Sequence, residues 1–460
     1  MTTNNFHQAI FLRRSPKEVL CIDKDKTYHV YDLQIAVKSF SVYLSMTDLK
    51  RIAIYTDDAY LFLVAFSACI YAKKEVILLG SMHVDLSHKN EYFDALITDR
   101  DFKDSIIPNF NIKELIKDIP LRSLDEIPAV NHDAVITKKP DPDSKISFFT
   151  SGSTGKSKKI EKTLSQLEKD ILHLEDLTKN LDDHKDLIFM ASVSPCHLYG
   201  ITFRVLLPLL RSFVFDTRFF KYHEELCDNG IGKKIVFVSS PAILKKIDKS
   251  LKSPEIIFTL SAGASLSTQS AKDYYQWASC PVTEIYGSTE TNFIGHRESK
   301  GEDIMYTPFK GVSFTKIDDI LYLNSPLLNE PFKLDDNIVF ENDKFIVKSR
   351  KDKVVKLSEN RVSLTLIEQC SCKFESIEDA VAMPIEKNCR THVGIVLATS
   401  LADKLNCDDK ARHDFVKRYK ESLKENIIAI AIPRYIRFVK QIPVNSMGKK
   451  VVNELRGLFK

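Results

Sequence analysis

The chain has 460 residues, too many for one ordinary domain, and a prior of roughly 100–200 residues per domain predicts two or three. Its 66 lysines and arginines against 62 acids leave a net charge of +4, too small an excess to argue for a nucleic-acid partner. With 28% charged and 44% hydrophobic residues, a disordered or collagen-like chain is excluded as well. Nine cysteines are scattered with no CxxC pair, so neither a disulfide framework nor a zinc site is expected, and a reducing, cytoplasmic setting fits best.

In chain order, the opening MTTNNFHQAIFLRRSPKE lacks the basic-then-apolar layout of an export signal. The run 51–55 predicts a strand, the apolar run 59–72 a buried helix too short to span a membrane, and 75–79 a second strand. The apolar run 146–149 then leads into Thr150-Ser-Gly-Ser-Thr-Gly-Lys-Ser157. Backbone N–H groups of such a glycine loop converge on anions, and its hydroxyls and lysines add donors, so phosphate binding is expected. After a short basic spacer, Thr163-Leu-Ser-Gln166 has capping-box form, and apolar residues at 164, 167, 171, 174, 177 and 181 mark one helix face. Strands are expected at 187–191, 212–215, 234–238 and 256–259, giving an α/β rhythm. After Gly311 come strands separated by turns, with Asn342-Asp343 a hairpin turn before 344–348, and a second α/β unit starts near 351.

The stretch Thr150–Ser157 nearly satisfies GxxxxGK[ST], which keeps a Walker-type ATPase or phosphotransferase in play, with Asp216 at the end of 213–216 as its metal carboxylate. Yet Thr150 replaces the first glycine, and the helix does not begin at Lys156 as that motif requires.

Further stretches point elsewhere. Glu284-Ile-Tyr-Gly-Ser-Thr-Glu290 resembles a YGxTE motif, Ser349-Arg-Lys-Asp-Lys-Val-Val-Lys356 a GRxDxxIK motif, and Pro443-Val-Asn-Ser-Met-Gly-Lys449 a PxxxxGK motif. Ser194-Pro-Cys-His-Leu-Tyr-Gly200 looks like a PxxHxxG segment, and Ser261-Ala-Gly-Ala-Ser-Leu266 like a GGAPL turn. In order and spacing, from about residue 140 to the C-terminus, these resemble the adenylate-forming superfamily of AMP-dependent acyl and aryl acid synthetases. Within it, the pattern in 151–168 is similar to the short bacterial ligases of aryl-polyene type pathways.

The resemblance implies an α/β fold with a large N-terminal AMP-binding domain (1–349), made of α/β subdomains plus a β-rich one. A small mobile α/β domain (350–460) would follow, with its hinge near Asp352. It implies acyl-AMP formation from ATP with Mg²⁺, then transfer to a thiol of coenzyme A or of a carrier protein's phosphopantetheine. The partners would be a small carboxylic acid and, as one acceptor, an acyl carrier protein, with no nucleic acid and no membrane span. Thr150, Ser151, Gly152, Ser153, Thr154, Gly155 and Lys158 would surround the β- and γ-phosphates. Gly263, Ala264, Gly287 and Ser288 would line the nucleotide, and Tyr286 would stack on adenine. Thr289 would bond the α-phosphate, Glu290 and Thr154 would hold Mg²⁺, and Asp336, with Asp335 its rival, would take the ribose, assisted by Arg350. Lys449 would bridge carboxylate and phosphate, and His197 would lie by the acid. Ser157, Asp335, Ser349 and Glu359 depart from the family pattern; Glu359 stands where the pantetheine arm passes in relatives, which leaves two alternatives for the thiol step, a carrier-borne phosphopantetheine in place of free coenzyme A or a different course. A catalytically silent adenylate-fold binding protein is the non-enzyme alternative, against which Lys449, Glu290 and Thr154 count.

Overall fold

The structure is a computed structural model that describes residues 5–80, 92–100, 108–119, 121–122, 124–128, 136–151, 157–184, 186–245, 247–301, 304–318, 320–350, 354–357, 360–387, 390–424, 426–444 and 450–459. The chain's own contacts divide it into two compact units. One is built from the chain up to Thr315 plus Leu323–Phe332; the other takes Lys316–Tyr322 and the chain from Lys333 onward. The expected boundary at 349/350 falls at the end of the strand Lys344–Arg350, which the contacts assign to the second unit. Asp352, the expected hinge, lies outside the described residues.

The first unit carries two large sheets. In the six-stranded sheet the order is Asn109–Asn111, Ala95–Thr98, Arg51–Tyr55, Glu75–Leu78, Lys145–Ser151, Ser157–Thr163, parallel throughout except for the last pair. In the nine-stranded sheet six parallel strands, Val282–Ser288, Glu255–Ala262, Lys234–Ser239, Leu187–Ala191, Val214–Phe219 and Val19–Asp23, form the centre, with antiparallel strands added at both edges. Between the sheets runs the helix Ala59–Tyr71, buried from Ala59 to Ile70 and capped by Asp58, whose carboxylate takes the Leu61 N–H at 2.8 Å. A helix covered on every side has no polar face, hence the unbroken apolar run.

Strand period sets the layers. Phe189, Val236 and Val238 face the core shared with that helix, while their neighbours Met190, Ile235 and Phe237 pack on Leu226, Leu244 and Tyr274 across the other face. The capping box at Thr163 forms as expected, with Gln166 N–H and Thr163 N–H each bonded to the other's side chain. The helix it starts, Leu164–His173, buries Leu164, Leu167 and Ile171 as expected but ends there; Leu174, Leu177 and Leu181 follow in its cap and two short helical segments, with Leu174 and Leu181 buried and Leu177 partly so. The strand expected at 212–215 is displaced to Val214–Phe219, because Ser212 turns in the left-handed region at φ +59°.

In the second unit Asp336–Glu341 and Lys344–Arg350 form the expected hairpin, with Asn342 at φ +53° in its turn. A three-stranded sheet of Asp379–Lys387, Arg390–Ala398 and Tyr435–Val439 packs on the helices Leu364–Ser371 and Asp409–Leu423 through Ile367, Ile395, Phe415 and Tyr419. Among the described residues no helix is long and apolar enough to cross a membrane.

Candidate active site

The sequence-predicted groups of the first unit collect at the carboxyl ends of the parallel strands, where ligands of open α/β sheets bind. Nearest the chain start is the glycine loop. Its basic spacer is not a spacer: Ser157–Thr163 is a strand, antiparallel to Lys145–Ser151, with Thr150 opposite Lys158 and Ser151 opposite Ser157. The loop therefore closes a hairpin, whereas a Walker loop runs from strand directly into helix. Lysines suit this strand because it is the sheet's edge, where charge discourages pairing with other chains. Lys159 is held by Glu75 at 2.8 Å and Glu161 at 2.9 Å, while Lys158 next to it is exposed on the opposite face. Gly152, Ser153, Thr154 and Gly155 lie outside the described residues.

Asp216, the alternative Walker carboxylate, is fully buried and bound by Arg218 through Nε at 2.9 Å and Nη2 at 2.6 Å. Both of its carboxylate oxygens are spent on this ion pair.

The second group is the turn after Val282–Ser288. Gly287 is required by space: a Cβ there would lie 2.0 Å from the Asn292 carbonyl oxygen. The Ser288 N–H donates to Thr291 Oγ1 at 3.0 Å and the Thr291 N–H to Ser288 Oγ at 3.2 Å, so the Ser288 side chain ties the turn. Thr289 and Glu290 are left half-buried at its tip. Behind them Lys162 Nζ donates to Asn292 Oδ1, and Asn292 Nδ2 donates to Asp170 Oδ1 at 2.7 Å. Burial pushes the Asp170 carboxyl up to about 7 and the Lys162 ammonium down, although Asp170 and Glu290 pull the latter back.

The Tyr286 ring centroid lies 5.6 Å from that of Tyr306, which carries the Arg297 guanidinium at 4.7 Å. Arg297 pairs with buried Glu284 at 2.8 Å, and Glu284 accepts the Leu266 N–H at 2.9 Å. That bond fixes the 261–266 turn beside the Tyr286 strand, with Gly263 at φ +97° supplying a backbone that side chains disfavour. Gly263 and Ala264 are exposed on it.

The third group is 194–200. A Cβ on Gly200 would meet the Ser194 carbonyl at 1.8 Å, which accounts for the glycine of PxxHxxG. His197 rests on Gly80, at the end of the Glu75–Leu78 strand: a Cβ at 80 would lie 1.8 Å from imidazole Cε1. The Cys196 thiol, pushed up to about 12 by burial, is a weak donor to the Ile54 carbonyl at 3.5 Å and is not a nucleophile. Gly80→Ala is accordingly expected to push the His197 ring out of place, read as a shift of its imidazole resonances in ¹H–¹⁵N spectra at unchanged melting temperature to within a few degrees. Unmoved resonances would show that the contact is not obligatory.

Sequence reasoning missed Gly80, Lys162, Asp170, Asn292 and Arg297. Only Asn292 left a trace, as an asparagine after a turn motif, the residue type that best tolerates its φ of +58°.

In the second unit, Asp336 is half-buried and stands directly opposite Arg350 in the hairpin register, while Asp335 is exposed. The two residues expected to share the ribose are thus a cross-strand pair. Lys449 and Glu359 lie outside the described residues. Among the described residues no three His, Cys, Asp or Glu side chains cluster as a metal site. Glu290 alone suits Mg²⁺ all the same, since that ion is commonly bound by one or two carboxylates together with substrate phosphates.

The family model for AMP-binding enzyme matches residues 94–315, a stretch holding the glycine loop, the His197 segment and the Tyr286–Glu290 turn. Over 114 residues the chain is 29% identical to a D-alanine–D-alanyl carrier protein ligase of Staphylococcus aureus, a stretch that is 25% of this chain and 22% of that relative's length. ATP-bound MatB from Rhodopseudomonas palustris is similar over 100% of this chain and 99% of its own, with TM-score 0.77 and 16% identity. The o-succinylbenzoate coenzyme A synthetase of Bacillus subtilis, solved with ATP and magnesium, is similar over 96% and 97%, with TM-score 0.74 and 16% identity. Residues 94–315 thus match the model for AMP-binding enzyme, and nearly the whole chain shares the fold of these two solved structures.

Proposed function

We propose that this domain serves an ATP-dependent acid–thiol ligase, which forms an acyl-adenylate and passes the acyl group to coenzyme A or to a carrier protein's phosphopantetheine. The observation that carries the reading is the hairpin at the glycine loop, tied through Lys162 and Asn292 to the turn that bears Thr289 and Glu290. An anion hole and a metal carboxylate joined in this way suit attack at the α-phosphorus, not γ-phosphoryl transfer from a strand–loop–helix cradle.

In the first half-reaction a carboxylate oxygen bonds to the α-phosphorus and the bond to pyrophosphate breaks. Negative charge accumulates, so N–H groups of 150–155, Lys158 and Lys449 serve as donors to it. Mg²⁺, held by Glu290 and Thr154 when bound, supplies charge neutralisation of the triphosphate. Tyr286 stacks on adenine, Asp336 and Arg350 take the ribose, and His197 borders the acid. In the second half-reaction the thiolate sulfur bonds to the acyl carbon and AMP leaves. In this reading the chain from about residue 350, a part of the second unit, is the mobile part that brings Lys449 in and withdraws it.

The test is pyrophosphate exchange into ATP across short, long and aromatic acids. Exchange that requires an acid is expected, with AMP as product, and Lys449→Ala is expected to lower it by on the order of 10²-fold. Release of ADP, or exchange undiminished in that variant, would sink the assignment.

A further inference from the structure

Three buried polar side chains from three elements meet behind the Thr289–Glu290 turn. Lys162 comes from the edge strand Ser157–Thr163, Asp170 from the helix Leu164–His173, and Asn292 opens the strand Asn292–Ser299. They are 6%, 0% and 1% exposed, and Asp170 Oδ2 has no hydrogen-bond partner among the described residues. Such a cluster is a poor way to gain stability, because a buried charged pair is often replaced by apolar side chains at no loss. What it gives is direction. Asn292 spends its amide oxygen on Lys162 and its amide nitrogen on Asp170, its backbone sits in the left-handed region at φ +58°, and its carbonyl is packed by Gly287. Every part of the residue that closes the turn is therefore fixed from behind. Glu290, two residues earlier, lies within the field of the Lys162 ammonium, which offsets its charge before a cation arrives.

We propose that Lys162, Asn292 and Asp170 are positioning residues for the metal-bearing turn, fastening Thr289 and Glu290 to the strand that leaves the glycine loop so that the two sides of the triphosphate site hold one geometry. This deepens the ligase reading and rests on it for the identity of the bound group. Metal and phosphate contacts need placement within about 0.5 Å, which a surface turn does not reach without such support.

Two variants separate position from folding. Asn292→Gly keeps the left-handed backbone and removes the amide; Lys162→Met keeps the chain length and removes the charge. ATP is titrated calorimetrically into the full chain, with Mg²⁺ and with EDTA. Each variant is expected to lose about tenfold or more of the Mg²⁺-linked gain in ATP affinity while binding in EDTA stays within about twofold, and the double variant is expected to lose no more than the worse single one, as a shared network requires. Retention of the wild-type gain would overturn the proposal. So would an equal loss with and without Mg²⁺, the result a merely structural role would give. Acid-dependent pyrophosphate exchange of the wild type tests the ligase reading separately: its absence, with the Mg²⁺-linked effects as expected, overturns that reading alone.

Discussion

Arg204→Met is expected to lower the free energy of unfolding by at least ~4 kcal/mol, read from denaturant midpoints at unchanged slope. Arg204 is 1% exposed, and its guanidinium donates to four carbonyls: Val193 at 2.7 Å, Asp57 at 2.8 Å, Thr217 at 2.7 Å and Arg218 at 2.9 Å. These belong to three separate segments, namely the approach to 194–200, the end of the Arg51–Tyr55 strand and the strand Val214–Phe219. One planar group with a fixed fork thus fastens both sheets of the first unit at their carboxyl ends. Burial pushes its pKa down to about 10 even with Asp58, Asp57 and Asp216 nearby, so it stays charged at neutral pH. Methionine fills much of the volume and supplies no donor, so four carbonyls, those of Val193 and Thr217 buried and those of Asp57 and Arg218 part-buried, lose the guanidinium at roughly 1–3 kcal/mol each before relaxation. Arg204→Lys is expected to recover only part of the loss, since an ammonium has three donors and no fork. A Met variant within ~1 kcal/mol of the wild type would show that solvent reaches these carbonyls. The same staple holds the segment leading to His197, so a displaced His197 is expected together with the loss of stability.

Much of this was legible in the sequence because it is local. The capping box at Thr163, the turn at Asn342 and the core run 59–72 each follow from residues within one element, and each forms, the last as the helix Ala59–Tyr71 with Ala72 its cap. The motif glycines Gly200 and Gly287 were legible too, although their reasons, the carbonyls of Ser194 and Asn292, were not; Gly80 was not legible at all, because it answers to an imidazole more than a hundred residues away. What could not be read was non-local charge. Lys162 sits among Lys158, Lys159 and Glu161 in a segment whose composition suggests a solvated stretch, and nothing in its period shows that it points into the protein. Strand alternation makes the difference: Lys158, Ile160 and Lys162 share one face, Lys159 and Glu161 the other, and only pairing with Lys145–Ser151 reveals which face is covered. Arg204 is hidden in the same way, by the apolar residues on both sides of it.

Gly287→Ala is expected to lower acid-dependent pyrophosphate exchange by at least ~10³-fold, with a much smaller effect on the melting temperature. The backbone at Gly287 is not in the left-handed region, so strain in φ is not the issue. Space is: the added Cβ would lie 2.0 Å from the Asn292 oxygen, 3.0 Å from its carbonyl carbon and 3.2 Å from Phe293 Cα, all backbone atoms that cannot rotate away. The two limbs of the turn must separate by about 1 Å to restore an ordinary contact. That movement parts Gly287 from Phe293 and Ser288 from Asn292 in the strand register, and it pulls Asn292 off Lys162 and Asp170. Thr289 and Glu290 move with the turn, so the contacts proposed for them with the α-phosphate and Mg²⁺ would fail together; a misplacement of ~1 Å is worth on the order of 10²-fold, and two such contacts exceed it. The fold is spared because the turn lies at the end of its strand while Phe293 and Ile294 stay in the core behind it. Gly457→Ala is the matching control: a Cβ there meets nothing within 4 Å, and the variant is expected to exchange as the wild type does. A Gly287→Ala enzyme that retains more than about a tenth of wild-type exchange would mean that the turn opens without moving its tip, and that Thr289 and Glu290 do not carry the roles given to them.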